Sequence, residues 1–414
     1  MKYVIIGNSA AGNAAARSIV SKDPEAETLI FSDEPHESYY RPLIPNLVDE
    51  SVEEKLLFRD EHSEPQGVEQ HLGQRVKGID PQEKKITLEG GEQIPYDRLL
   101  IATGSSPLRP PAEGVDADGV HTMRTLDDAA AIKKAAEETD SVVIIGGGRV
   151  GMKTASVLKN KGLDVTVVEK RGYLVPLQFD GVAGEIFTAA VQEKGINLIL
   201  GQGIRAVLRS NGRVRAVSLE DGQELATQLV VMATGVRANT ELAQTAGVAV
   251  NQGILVDPFM RTSVQDIFAA GDVVETPDIV TNQPIVSGLW TNAVEMGTIA
   301  GRNMTGEEAD YVGAFGVLNA LELANVPTVS VGLVDPPSGD DYEIHAVRHG
   351  DHYRKLVLKE GVLVGALLVG DIEGAGVYTG LIKRKFQVES YLETLMGPGP
   401  SYASWLLRES RLNP

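Results

Sequence analysis

The chain has 414 residues, length enough for roughly two or three domains, with 43% apolar content. Its 57 acidic and 38 basic residues leave a formal charge of −19, which argues against nucleic acid and anionic membrane surfaces as partners. There is no cysteine, so redox disulfides, cysteine sulfenic acids and cysteine-ligated iron–sulfur clusters are excluded. The seven histidines show no close pair with metal-ligand spacing, and no protein metal site is expected. No apolar run approaches the ~20 residues of a membrane span. The short apolar start reads as a strand rather than a signal peptide, and the cytoplasm is the default location.

Residues 1–111 read as the first segment of a nucleotide-binding domain. The apolar run 2–6 has the look of a buried parallel strand. Gly7-Asn8-Ser9-Ala10-Ala11-Gly12 follows. Gly7 permits a tight turn, and Gly12 lets a helix pack close to the strand. Ser9 stands where the usual pattern has its second glycine and is small enough for the backbone to approach a phosphate, with Ala11 beside it. A pyrophosphate would sit at the helix start, where free N–H groups and the helix dipole favour negative charge. The next strand, 28–31, ends at Ser32-Asp33-Glu34, and an acid there can accept hydrogen bonds from ribose hydroxyls. Alternation from Glu69 to Leu88 predicts a strand pair, with a turn at Gly90-Gly91. A buried strand at 98–101 runs into Ala102-Thr103-Gly104, and Pro107, Pro110 and Pro111 mark a linker.

Residues 112–236 hold a second unit. The strand 142–145 precedes Gly146-Gly147-Gly148-Arg149-Val150-Gly151, with all three glycines of the pattern present. The strand 164–168 ends at Glu169, which favours a free 2′-hydroxyl and therefore NADH. Lys170 and Arg171 follow at once and could still accommodate NADPH. The segment closes on the strand 229–232 and Ala233-Thr234-Gly235. This second Ala-Thr-Gly reads either as an internal duplication or as coincidence of a common tripeptide. Two glycine units in one chain, each with its acid, suggest two dinucleotides and a hydride passed between them.

Residues 237–308 carry strand-like runs at 253–257 and 266–273, the latter including Gly271-Asp272. Residues 309–414 show strand-like segments at 353–359 and 362–369 with a turn at Glu360-Gly361. Gly397-Pro398-Gly399-Pro400 breaks what precedes it. An amphipathic stretch, 402–412, follows and serves either to dock on the chain's own small domain or to contact a partner.

The two glycine motifs, both Ala-Thr-Gly turns, Thr262-Ser263 and Ala269-Ala270-Gly271-Asp272 make residues 1–308 resemble the FAD-dependent pyridine nucleotide–disulfide oxidoreductases. The tail resembles the small interface domain of NADH:rubredoxin reductases and of the flavin portion of assimilatory nitrite reductases. The resemblance implies an α/β protein with two Rossmann-like domains. An FAD domain (1–111 and 237–308) is split by an inserted NAD(P)H domain (112–236), and a small C-terminal α+β domain (309–414) follows. It implies that Asp272 contacts the FAD ribityl chain or pyrophosphate, and that Arg41, with Pro42 in Tyr39-Tyr40-Arg41-Pro42, lies against the FAD phosphates. A guanidinium can bridge two phosphate oxygens. Trp290, in the segment Trp290–Ala293 with Gly297, resembles residues near the flavin pyrimidine end; the segment also reads as a helix packing on the sheet.

Where some relatives carry a redox cysteine, this chain has Pro42 or a close neighbour. Where related reductases often carry a lysine by the flavin and a glutamate in the second glycine helix, this chain has Asn46 and Lys153. Lys153 either places positive charge near the flavin or faces solvent or a partner subunit. The implied reaction is hydride transfer from NADH, stacked on the flavin, to flavin N5. Electrons then go to rubredoxin, ferredoxin or an iron–sulfur subunit, within a larger complex or in the reverse direction. The alternatives are a peroxide-forming NADH oxidase, a quinone reductase, and a flavin-binding assembly subunit with little NADH turnover of its own. A monomer and an oligomer both fit.

Overall fold

The computed structural model describes residues 1–58, 67–338 and 341–397; the stretch 402–412 lies outside them. The chain forms two compact units. One comprises Met1–Leu108, Arg124–Leu126 and Val236–Ala314; the other comprises Arg109–Met123, Asp127–Gly235 and Phe315–Pro414.

The first unit is built on a five-stranded sheet in the order Ile267–Ala269, Arg98–Ile101, Lys2–Ile6, Glu27–Phe31, Val68–His71. Every pairing is parallel, with Val4 opposite Leu29 on one side and Leu99 on the other. The three central strands are almost wholly buried, which is why they read as unbroken apolar runs rather than alternating ones. Val68–His71 joins this sheet, whereas Val76–Asp80, Lys85–Leu88 and Gln93–Pro95 form a separate antiparallel meander. The alternation from Glu69 to Leu88 therefore spans strands of two sheets, not one pair. Pro107 also lies within a strand: Ser105–Pro107 pairs antiparallel with Val236–Ala238.

Two helices of this unit touch backbone to backbone. A Cβ on Gly297 would fall 2.1 Å from the Ala11 carbonyl oxygen, and one on Gly301 would fall 2.4 Å from that of Ala15. The helix Trp290–Met304 thus rests directly on Ala10–Lys22 through a seam of glycine and alanine. Larger residues would hold the two helices apart.

The second unit repeats the pattern. Its parallel sheet runs Asn197–Leu200, Asp164–Glu169, Ser141–Ile145, Leu229–Met232, Val120–Thr122. In both units the strand leading to Ala-Thr-Gly pairs directly with the strand leading to the glycine turn. The C-terminal part is a five-stranded antiparallel sheet, Leu318–Leu323, Val326–Gly332, Val362–Val369, His352–Lys359, Tyr342–His349, with the helix Ala375–Lys383 against it. Its hairpin sets His349 opposite His352, so the histidines do include a close pair, three residues apart in the chain. No group of three His, Cys, Asp or Glu among the described residues could hold a metal. No helix among them is long and apolar enough to cross a membrane.

One buried polar cluster ties this sheet to the nucleotide-type fold of the same unit. Asp180 caps the helix Gly181–Glu193 by accepting from Ala183 N at 3.0 Å. Its other oxygen accepts from Tyr353 OH at 2.8 Å and Lys355 Nζ at 2.9 Å. The Lys355 and Asp180 side chains are only 6% and 9% exposed. Burial, then the carboxylate, raises the Tyr353 pKa, so this hydroxyl stays a donor at neutral pH. Removing one member of such a pair strands the other charge away from water. Lys355→Met is expected to lower stability by ~3 kcal/mol. Urea unfolding of the purified protein measures this, and an unchanged midpoint would show that solvent already screens Asp180.

Candidate nucleotide-binding sites

In the first unit the end of Lys2–Ile6 turns through Gly7 at φ +122°, where an added Cβ would lie 2.2 Å from the Ala102 carbonyl oxygen. Both the dihedral and the space demand glycine. Gly12 is as confined, with its Cβ direction 1.9 Å from Gly7 O. The helix Ala10–Lys22 begins behind Ser9, whose extended backbone leaves the first turn without a side-chain cap. Its first N–H groups are therefore available to an anion.

The Arg41 guanidinium stands at this helix start. Its Nε donates to Ser9 Oγ at 3.2 Å, and its Nη1 donates to Tyr39 OH at 3.0 Å and to the Arg124 carbonyl at 3.1 Å. Arg41 also forms an ion pair with Glu34, which accepts from the Tyr39 hydroxyl as well. Burial pulls the Arg41 pKa down, but Tyr39 and Glu34 more than offset this and the guanidinium stays charged. Burial, ahead of the neighbouring charges, raises the Tyr39 pKa well above its ordinary value.

Asp272 is held by two donors. Arg124 Nη2 donates to its Oδ2 at 3.0 Å and Ser105 Oγ donates to the same oxygen at 3.2 Å. Gly271, at φ +85°, leaves 2.9 Å between its Cβ direction and Ala11 Cβ. The structure thus gathers Gly7, Ser9, Ala11, Gly12, Glu34, Arg41, Ala102, Gly271 and Asp272 around one helix start. Thr103 is locked by reciprocal bonds with Asn239, both at 2.9 Å, and Gly104 turns at φ +67°. Asp33 is exposed, whereas its neighbour Glu34 lies inside the network. Pro42 is exposed and opens the short helix Arg41–Leu47. On that helix the buried Asn46 Oδ1 has no hydrogen-bond partner among the described residues. Trp290 lies 5.5 Å, ring centre to ring centre, from Tyr40.

Open helix donors, a fixed guanidinium, a turn with no room for a methyl and an orphaned acceptor together fit a dinucleotide cofactor such as FAD. Tyr39, from the Tyr39–Pro42 segment, completes the network with Arg124 and Ser105, which carry no motif. Arg124 lies 83 residues from Arg41 in the chain, and only the fold brings them together.

The second unit has the same turn. Gly146 sits at φ +109° with its Cβ direction 2.4 Å from Ala233 O, and that of Gly151 is 1.9 Å from Gly146 O. Gly235 repeats φ +109° after Thr234. Gly148 differs, because nothing lies within 4 Å of its Cβ direction, so the loop opens onto free space there. Glu169 is buried; its Oε2 accepts from Gly147 N at 2.7 Å and its Oε1 from Arg171 N at 2.8 Å. These bonds fix the carboxylate at the strand end. Val175, fully buried at φ +55°, donates its N–H to Gly147 O at 2.9 Å. A β-branched residue in that region is strained, so the 170s loop is held on the glycine turn against a cost of ~1 kcal/mol or more. Sequence patterning does not point to it. Val150 is exposed and Lys153 is half-buried on the helix Arg149–Asn160. Lys153 and Asn46 belong to different units. Lys170 is directed to Glu220 at 4.0 Å on an exposed edge.

Residues 1–297 match the family described as pyridine nucleotide-disulphide oxidoreductase, and residues 318–386 match the rubredoxin NAD+ reductase C-terminal domain. The NADH-dependent phenylglyoxylate dehydrogenase subunit epsilon of Aromatoleum evansii is 30% identical, over 93% of this chain and 92% of that protein. A nitrite reductase [NAD(P)H] of Bacillus subtilis is 29% identical over 94% of this chain, which spans only 48% of that longer protein. The NAD-dependent persulfide reductase from A. fulgidus superposes with a TM-score of 0.88 at 28% identity, covering 97% of this chain and 80% of that one.

The glycine contacts yield a direct test. Gly151→Ala is expected to lower the thermal midpoint and to weaken NADH binding, since the new methyl would meet Gly146 O at 1.9 Å. Gly148→Ala, facing open space, is expected to keep the midpoint within about 2 °C, a shift of a few tenths of a kcal/mol. Equal losses from the two would mean the close contact is not what holds the turn.

Proposed function

We infer the function from the chain's kind: it belongs to the pyridine nucleotide–disulphide oxidoreductases, and its cofactors are FAD and NAD(H). In our reading it takes hydride from NADH and delivers electrons to a redox protein or an iron–sulfur subunit. One observation carries the second half: two glycine turns stand in a chain of 414 residues without a cysteine. With no thiol pair to relay them, electrons leave the flavin directly. FAD, when bound, supplies a hydride acceptor that can also release electrons singly.

The chain's own residues bind, orient and bias. The open helix start, Ser9 and Arg41 are placed to hold a pyrophosphate, and Asp272, braced by Arg124 and Ser105, to meet the ribityl chain. Asn46 Oδ1 offers an acceptor near the same segment. Glu169, already fixed by two backbone donors, presents its carboxylate to an adenosine ribose and disfavours a 2′-phosphate. Lys153 would add positive charge to the nucleotide half. Likeness to the epsilon subunit over nearly its whole length supports a flavin-bearing subunit of a larger assembly. The rubredoxin-reductase type of C-terminal domain supports a small electron carrier as acceptor.

Purified protein is expected to show an oxidised-flavin spectrum with about one FAD per chain; a colourless protein that rejects added FAD would defeat the reading. Arg41→Met should raise the FAD dissociation constant by roughly ten- to a hundredfold, the loss of one charged contact, as read by flavin fluorescence on dilution. In anaerobic stopped-flow mixing NADH should reduce the flavin in preference to NADPH. Glu169→Ala should erase ~1–3 kcal/mol of that preference. A native preference for NADPH would mean Lys170 or Arg171 outweighs the acid.

A further inference from the structure

The loop 170–180 runs from the acid at the strand end to the cluster on the C-terminal sheet, and hydrogen bonds fix it at each stage. At its start Glu169 accepts from Gly147 N and Arg171 N, and Arg171 O accepts from Gly201 N at 2.9 Å. In its middle the Val175 N–H donates to Gly147 O at 2.9 Å, while the Val175 carbonyl accepts from Gln178 N at 3.0 Å and Phe179 N at 3.1 Å. At its end Asp180 takes three donors: Ala183 N, Tyr353 OH and Lys355 Nζ.

Side chains stiffen the same path. Leu174 is fully buried, and its Cδ2 lies 2.7 Å from the Cβ direction of Gly147. The Tyr173 ring sits on Gly184, where an added Cβ would fall 2.4 Å from its Cδ2. Phe179 meets Phe187 edge-on, with 5.4 Å between ring centres. Gly184 and Phe187 both belong to the helix Gly181–Glu193 that Asp180 caps. Close packing of this kind transmits a displacement rather than absorbing it. Val175 also holds φ +55°, which a β-branched residue keeps only where its surroundings over-determine it. Those surroundings are the glycine turn on one side and the anchored Asp180 on the other.

The anchor itself is rigid. Tyr353 and Lys355 are two residues apart on the strand His352–Lys359 and so share one face of it. That strand is paired on both edges, with Tyr342–His349 and Val362–Val369. Both side chains reach the same Asp180 oxygen, Oδ2. The C-terminal sheet therefore grips the far end of the loop whose near end carries Glu169.

We propose that Tyr353 and Lys355 are positioning residues for the second nucleotide site. Through Asp180 and the loop 170–180 they set Glu169 against the glycine turn, and so set how strictly the site refuses a 2′-phosphate. This deepens the reading that Glu169 meets the adenosine ribose of NADH, and rests on it. The C-terminal part is then a determinant of nucleotide choice as well as an interface.

The test uses the FAD-loaded protein and two ligands that differ only in the 2′-phosphate, ADP-ribose and 2′-phospho-ADP-ribose, each titrated by calorimetry. Tyr353→Phe removes one donor and keeps the Lys355–Asp180 pair. It should shrink the preference for ADP-ribose by about two- to tenfold, the worth of one hydrogen bond. Made on top of Glu169→Ala, the same substitution should change the preference by less than about 1.5-fold, because its effect runs through that acid. Lys355→Gln, which keeps a donor but no charge, should act in the same direction and carries the test should the phenylalanine variant not fold. An unchanged preference in these variants, or an equal loss with and without Glu169, would overturn the positioning role and leave the cluster as a structural tie. Wild-type protein that binds ADP-ribose without preferring it to the 2′-phosphate form would overturn the Glu169 reading, and the positioning role with it.

Discussion

The architecture rests on one contact made twice. Where the first strand of each unit ends, the backbone of the turning glycine presses on the carbonyl of an alanine one strand over, with 2.2 Å from the Gly7 Cβ direction to Ala102 O and 2.4 Å from that of Gly146 to Ala233 O. No side chain fits between them. That approach lets the following helix start directly above the sheet edge and aim its unpaired N–H groups outward. If the turn stood a methyl further from the neighbouring strand, the helix would start elsewhere and its dipole would point at nothing useful. The same contact gives the repeated Ala-Thr-Gly a cause: its alanine is the wall against which the turning glycine is set.

Charge placement follows from that geometry. In the first unit a chain of polar groups runs from Glu34 through Tyr39 and Arg41 to Arg124 and Asp272. Each member has a partner, so the guanidinium at the helix start is held in place before any ligand arrives. Preorganisation of this kind lowers the ordering cost of binding, which matters more to affinity than the count of contacts. In the second unit the equivalent order comes from backbone rather than side chains, with Glu169 held by Gly147 N and Arg171 N.

What the sequence disclosed was whatever depends on neighbours in the chain. Buried strands, glycine turns and the acids at strand ends declare themselves through runs and spacing, as 2–6 and 142–151 do. Contacts between distant residues do not. Arg124 and Ser105 carry no periodic signal, and only the closing of the sheet makes them part of a site. Alternation misled where it crossed a boundary: 68–71 and 76–88 share a pattern but belong to different sheets. Pro107 read as a linker because proline cannot donate to a ladder, yet in a two-stranded ribbon its nitrogen can face outward. The strained Val175 was equally out of reach, since a dihedral angle exists only once the chain has folded.

The seam between Ala10–Lys22 and Trp290–Met304 has a consequence for the order of events at the ribosome. The first turn uses residue 7, but the helix behind it finds its packing partner only when Gly297 and Gly301 reach Ala11 and Ala15. At ordinary synthesis speeds, ~5–20 residues per second, that partner emerges about 15–60 s after the turn itself. The sheet of the second unit, complete by Met232, is available to fold first. The N-terminal half of the flavin fold therefore waits, half-built and exposing an alanine-rich helix face, while a domain encoded after it matures. Flavin capture becomes a late step in biogenesis, and nascent chains stalled between the two helices are the ones a chaperone would have to shield.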